Sequence, residues 1–176
     1  DSTANDFILN SKGTCNYCYE YINRIKEIKN TDLNINLLID NIKINGQGKK
    51  YDCIVGVSGG VDSSWALVKA VKLGLRPLAV HMDNGWNSEL AQSNISNLIE
   101  SLNVDLYTHV INWNEYKDLQ KAFFKANVID IELLYDNALA GVNYSQAREY
   151  RLKYILSGSN TNTEGVRMPP NWGKKN

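Results

Sequence analysis

The stretch from Tyr51 to Ser64 constrains the fold more than any other part of the chain. A mostly apolar run, Tyr51-Asp52-Cys53-Ile54-Val55-Gly56-Val57, passes directly into Ser58-Gly59-Gly60-Val61-Asp62-Ser63-Ser64, after which a helical period begins. A short, nearly continuous apolar run reads as a strand buried on both faces, and such strands belong to parallel sheets covered by helices. The glycine pair at the junction allows a tight turn between strand and helix.

The rest of the chain repeats that alternation. Further strands are expected at roughly Arg76 to Met82, Val104 to Ile111 and Lys153 to Ser157. Helical spacing fills the intervals Asp62 to Leu73, Ser88 to Leu102, Asn114 to Ala126 and Asp136 to Glu149. A repeating strand–helix order implies an α/β fold, a doubly wound, Rossmann-like parallel sheet with right-handed crossovers. Upstream, Tyr17, Tyr21, Ile22, Ile25 and Ile28 recur at helical spacing, and Leu33, Leu37, Leu38, Ile42 and Ile44 do so again before Gly46-Gln47-Gly48. We therefore expect an N-terminal segment at 1–48 and the main domain at 49–176.

Composition excludes some partners. The 176 residues carry 19 Lys and Arg against 19 Asp and Glu. Zero net charge argues against affinity gained mainly by neutralising nucleic-acid phosphates or an anionic membrane surface. No apolar run approaches the roughly 18 residues of a membrane span, and no basic-then-apolar leader opens the sequence. The expectation is a cytoplasmic protein with no nucleic-acid or membrane partner. Because the sequence opens on Asp1 and stops on polar residues, it is read as an excerpt of a longer protein.

The loop at 58–64 carries the chemistry. Free N–H groups at a helix N-terminus attract an anion, and the hydroxyls of Ser58, Ser63 and Ser64 add donors. No Lys follows the glycines, so this is not the G-x-x-x-x-G-K-[ST] loop, and it is not G-x-G-x-x-G. Asp62 would repel a polyphosphate unless a divalent cation bridged the two, which points to a Mg²⁺–triphosphate site. The competing reading is a plain Gly-rich turn capped by Asp62 or Ser63.

Ser58-Gly59-Gly60-Val61-Asp62-Ser63-Ser64 resembles the PP-loop signature of the ATP pyrophosphatase superfamily. Val80-His81-Met82-Asp83-Asn84-Gly85-Trp86-Asn87-Ser88-Glu89, the segment from Gly158 to Gly165, and Pro169-Pro170-Asn171-Trp172 narrow the likeness. With the strand before the loop, they resemble the N-acetyl sugar amidotransferases of bacterial surface-polysaccharide biosynthesis, of the lipopolysaccharide O-antigen and pseudaminic-acid kind. The resemblance implies cleavage of ATP to AMP and pyrophosphate, adenylation of an acetamido oxygen, and displacement of AMP by ammonia to leave an acetamidino group.

It also implies roles. Ser58, Gly59, Gly60, Val61, Ser63 and Ser64 would hold phosphates and Asp62 the Mg²⁺. The backbone of His81, Met82 and Asp83 would contact adenine, although His81 reads equally as a hydrogen-bonded strand-end histidine. Trp86 reads as a rim aromatic, with an indole face a sugar could use. Gly158 would let the backbone approach ATP, with Asn160 and Glu164 facing the reacting centre. Glu164 is the candidate second metal ligand or proton acceptor, a solvated loop residue being the alternative. Asp136 either reaches substrate or caps its helix; the family shows a Pro-Thr-Asp-like segment where this chain has Leu134-Tyr135-Asp136. Lys174 and Lys175 are candidates for phosphate neutralisation or simply solvated.

Cys15-x-x-Cys18 has the spacing of one zinc knuckle, while structural zinc takes four ligands. In the family another Cys pair precedes a segment like Asp1-Ser2-Thr3, so a structural Zn²⁺ would draw its other ligands from upstream of residue 1. Cys53 reads as a core thiol. The two histidines, His81 and His109, leave no room for a Cys–His glutaminase site, so ammonia would come from a separate glutaminase subunit. Two other readings stand beside this one. A PP-loop tRNA thiolase would want a basic face and further cysteines, and a non-catalytic adenine-nucleotide-binding module would not need Asp62.

Overall fold

The computed structural model describes residues 2–30, 34–128, 130–160 and 164–171. In order, the elements are α1 (Asn16–Asn30), α2 (Ile35–Gly46), β1 (Cys53–Gly56), α3 (Val61–Lys72), β2 (Pro77–Asp83), α4 (Glu89–Leu102), β3 (Asp105–Val110), α5 (Trp113–Lys125), α6 (Leu133–Glu149) and β4 (Ile155–Leu156). The strands form one sheet in the order β3-β2-β1-β4, with every pairing parallel. The expected α/β sheet is therefore present. The apolar runs located all four strands, although β1 and β4 are shorter than their runs.

Alternation along β1 sorts the core into two layers. Cys53, Val55 and Val57 pack with Ala79 of β2 against Ile39 and Ile42 of α2, Leu67 and Ala70 of α3, and Ile95 of α4. Ile54 packs the other way, with Leu78 and Val80, against Tyr51, Leu152 and Ala147 of α6. Each fully buried aliphatic side chain contributes roughly 1.5–3 kcal/mol relative to exposure. Cys53 is wholly buried, and desolvation pushes its thiol up to about 12.

The chain divides into two compact units, 35–158 and a second made of 1–34 with 159–176. The expected boundary at 46–48 is not where they part: Ile39 and Ile42 place α2 in the same core as β1. An ion pair between the buried Asp52 and the half-exposed Arg76 explains how the glycine-rich turn after α2 can be part of the fold. Asp52, 3% exposed, accepts from the backbone N–H, Nε and Nη2 of Arg76, while Nη1 and Nη2 of Arg76 reach the carbonyls of Lys49 and Gly46. A Cβ at Gly46 would stand 2.0 Å from Oδ1 of Asp52, so the absence of a side chain there is a packing requirement.

The smaller unit has its own frame. An antiparallel bridge, Leu9 to Cys15, closes a turn in which Asn10 N–H donates to Thr14 O and Gly13 N–H to Asn10 O. Arg167 donates to Glu20 and Asp6 and lies 4.7 Å over the Tyr17 ring. The Asn171 side chain donates to Thr3 O and accepts from Asn5 N–H. Among the described residues no helix is long and apolar enough to cross a membrane.

Candidate active site at the carboxyl edge of the sheet

The strand order fixes where a ligand can enter. The chain steps from β1 to β2 to β3 in one direction, then returns to place β4 on the other side of β1. Connections leaving the carboxyl ends of β1 and β4 therefore diverge, and such a switch point is where open α/β sheets open a crevice. Ser58 to Ser64 leaves one side of it, and Ser157 and Gly158 leave the other.

Three helices at this edge can be compared by their caps. The N-cap of α4, Ser88, accepts from Ala91 N–H at 3.1 Å, and that of α5, Asn112, accepts from Glu115 N–H at 3.5 Å. The N-cap of α3 is Gly60, which brings no side chain to the amides behind it. The first N–H groups of a helix have no carbonyl to bond within it. On α3 these belong to Val61, Asp62 and Ser63, and they put partial positive charge at the end of β1, with the Gly158 backbone close to Ser63 N.

The hydroxyls bond within the turn. Ser63 Oγ and Ser64 Oγ both donate to Gly60 O, at 3.2 and 2.7 Å. Ser58 Oγ lies 3.1 Å from Ser63 Oγ and accepts from Gly60 N–H, while Ser58 N–H donates to Ser63 Oγ. The serines brace the turn, and the amides remain for an anion. Asp62 is exposed in the first turn of α3.

Two glycines are required by their neighbours. Gly59 has φ +79°, and a Cβ there would meet Ala91 O at 2.5 Å, so loop and α4 are in backbone contact. Asn94 of α4 adds a hydrogen bond from Nδ2 to Gly59 O. A Cβ at Gly158 would meet Ser63 N at 2.6 Å and Asp62 C at 2.7 Å. The chain after β4 thus presses against the start of α3, the close approach expected of Gly158, with the loop backbone as its partner. Beside the loop, a groove of about 560 Å³ runs between α3 and α4, lined by Gly59, Gly60, Ser64, Asn94 and Leu98 among others.

At the end of β2, His81 is buried with both ring nitrogens engaged. Nδ1–H donates to Val57 O at 2.9 Å, and Nε2 then accepts from Asn87 Nδ2 at 3.2 Å, which fixes a neutral tautomer. Asn87 also donates to Asp83 Oδ1, which accepts from Gly85 N–H as well. Met82 is 1% exposed and faces the interior. β1 pairs with β2 only as far as Val80, so His81, Met82 and Asp83 are paired on the β3 side alone and present a backbone edge above β1.

Asp136 is exposed and is not an N-cap: α6 starts at Leu133 with Glu132 as cap, and Asp136 N–H already bonds Glu132 O. Glu164 and Asn160 belong to the smaller unit, where Glu164 Oε2 accepts from Asn160 N–H at 3.3 Å. Trp172, Lys174 and Lys175 lie outside the described residues. Cys15 caps the start of α1 and accepts from Cys18 N–H at 3.3 Å, the hydrogen bond that lowers the Cys15 thiol. Structural zinc takes four ligands, and among the described residues no group of three or more His, Cys, Asp or Glu could hold a metal ion. Sequence reasoning missed Asn87 and Asn94. Asn94 did carry a signal, since Asn inside a helix is disfavoured unless its side chain is used.

No protein-family model matches the chain, and no curated protein sequence does. Solved structures do. The chain is similar to glutamine-dependent NAD+ synthetase from Acinetobacter baumannii, solved with ADP, at 18% identity and TM-score 0.59 over 72% of this chain and 24% of that one. It is similar to NH3-dependent NAD synthetase from Campylobacter jejuni, solved with nitrate, at 17% identity and TM-score 0.52 over 70% and 54%. NMN synthetase from Francisella tularensis aligns at 25% identity and TM-score 0.48 over 72% and 53%. The chain spans between about a quarter and about half of these proteins. With its four parallel strands in the order 3-2-1-4, it has an α/β fold like that of the two NAD synthetases.

Proposed function

We propose that the chain is the ATP-cleaving part of an N-acetyl sugar amidotransferase of surface-polysaccharide biosynthesis. The observation that carries the reading is the uncapped start of α3: Val61, Asp62 and Ser63 offer amides at the switch point, while α4 and α5 cap their own. A set of amides held by a braced turn suits the β and γ phosphates of ATP, which gain charge as they leave. The free edge of His81 to Asp83 suits the hydrogen-bonding rim of adenine. Asp62 is the residue that would hold a divalent cation, which supplies charge neutralisation between its carboxylate and the phosphates.

The chemistry explains why ATP is spent. The acetamido oxygen attacks the α phosphorus, the bond to the β-phosphate oxygen breaks, and pyrophosphate departs as the amide nitrogen gives up its proton. The O-adenylyl imidate carries a good leaving group on carbon. Ammonia adds there, AMP leaves, and an acetamidine remains. Ammonia comes from a glutaminase partner in this reading, and Asp136 and Glu164 are the candidates for moving protons. Cys15 and Cys18 belong to the same reading as two of four zinc ligands in the complete protein; metal analysis of the full-length chain and of Cys15→Ser checks it.

Product analysis tests the function. Full-length protein with ATP, Mg²⁺, a UDP-linked N-acetyl sugar and ammonium should yield AMP, pyrophosphate and a sugar in which NH has replaced O. ADP as the nucleotide product would overturn the ATP-cleavage assignment. AMP with an unchanged sugar would leave the nucleotide chemistry and remove the sugar.

A further inference from the structure

The loop after β2 carries an aromatic group that the proposed ATP chemistry does not use. Trp86 is 70% exposed, yet it is held. Its ring contacts Trp113 at a centroid distance of 5.5 Å and an interplanar angle of 67°, and Trp113 in turn lies 6.2 Å from Tyr116. Gly85, at φ +76°, seats the turn on Trp113, whose Cε3 would lie 3.7 Å from a Cβ at that position. Large aromatic side chains left open to water mark binding surfaces when they are held in place.

The loop beneath it is braced at each step. Asp83 Oδ1 accepts from Gly85 N–H, Asn84 Oδ1 accepts from Trp86 N–H at 2.9 Å, and Asn87 bridges Asp83 and His81. Through His81 the chain of bonds reaches Val57 O, the carbonyl just before the phosphate loop. Ala91, one turn past this loop, touches Gly59. The indole is therefore fixed to the same framework as the amides of α3. Ordering it costs little when a ligand arrives.

What it can bind follows from what is left over. Asp83 Oδ1, Asn84 Oδ1, Asn87 Nδ2 and both His81 ring nitrogens are used within the loop, so what the turn offers outward at Trp86 is mainly the apolar indole face. A flat face suits the C–H side of a pyranose, whose hydroxyls stay in water at an exposed rim. We propose that Trp86, held by Trp113, is the stacking platform for the ring of the acceptor sugar. This rests on the sugar reading above and supplies it with a specificity-determining residue.

Binding and turnover test it separately. In ¹⁵N-labelled full-length protein, the Trp86 indole N–H resonance, assigned with Trp86→Phe, should shift on titration with methyl N-acetyl-β-glucosaminide and stay still with adenosine. A shift with adenosine, alone or in competition with the saccharide, would make the platform a base-stacking one and overturn the proposal. No shift with either would also overturn it, as would line broadening that grows with protein concentration and vanishes in Trp86→Ala. In turnover, Trp86→Ala should raise KM for the sugar about tenfold with kcat and KM for ATP unchanged, and Trp86→Phe should recover most of it. A loss confined to kcat would argue against stacking. The titration reads the platform even if AMP is never formed, so its failure is distinct from that of the proposed function.

Discussion

The two edges of the sheet treat polar groups in opposite ways. At the amino edge they are consumed. Arg76 closes on the buried Asp52 and on two carbonyls, and Tyr51 donates to Asp105 at 2.6 Å beside the Lys50 ammonium. The Tyr51 hydroxyl, with Lys50 after it, holds the Asp105 carboxyl below the ordinary carboxylate range. At the carboxyl edge, the first amides of α3 are left without a side-chain cap. One edge therefore holds the unit together, and the other is free to meet a ligand.

Breaking the amino edge should cost the most stability and the least specificity. Arg76→Ala leaves the buried Asp52 carboxylate with the backbone N–H of residue 76 but no cation, and should destabilise the fold by about 2 kcal/mol, the attraction of the half-exposed guanidinium being screened by water. Denaturant unfolding measures it. A normal KM for ATP at a temperature where the variant remains folded would confirm that this edge is structural; a changed KM would blur the contrast. Asp62→Asn should do the reverse, lowering turnover roughly a hundredfold or more with the unfolding midpoint unmoved. Steady-state rates at saturating Mg²⁺ decide that, and undiminished turnover would remove Asp62 from the chemistry.

Exchanging the caps sharpens the comparison within the carboxyl edge. Ser88→Ala removes the α4 cap and should cost about 1 kcal/mol with little change in ATP affinity. Gly60→Asp gives α3 a cap and a negative charge of its own. It should hold or raise stability by a few tenths of a kcal/mol while sharply weakening ATP binding, read by calorimetric titration. Equal affinity in both variants would mean that the α3 amides are not the phosphate site.

The smallest effect concerns Cys53. An unperturbed thiol ionises near 9.0, and the buried one only at about 12. Over that interval the unfolded chain binds fewer protons than the folded one, so the contribution of Cys53 to stability is complete below about pH 9 and is lost as pH rises towards 12. At pH 8, alkylation of protein treated with a chelator should modify Cys15 and Cys18 and spare Cys53. Labelling of Cys53 in native protein would mean that the β1 core opens.

Much of this was readable before any coordinates. β2 announced itself as Pro77 to Met82 with hardly a polar residue, and the Gly59-Gly60 pair marked the turn. Other features depended on distant partners. Gly46-Gln47-Gly48 looked like a linker because nothing local shows that Asp52 and Arg76 close over it. α6 buries Asn143 and Gln146 beside Ala147, so its inner face lacks the apolar stripe that would have set its start, and Leu133 to Tyr135 carried no capping residue. The serines of the loop looked like ligand donors, since their bonds to Gly60 O depend on how tightly the turn closes.

The contact between Gly59 and Ala91 also bears on how the sequence can change. The space a side chain at position 59 would need is filled by the backbone of a helix that begins 30 residues later in the chain. The loop at 58–64 and the first turn of α4 thus share one template, and the stretch between them can lengthen or shorten only if that turn returns to the same place. A larger residue at 59 should be accepted only by a chain whose α4 has already moved.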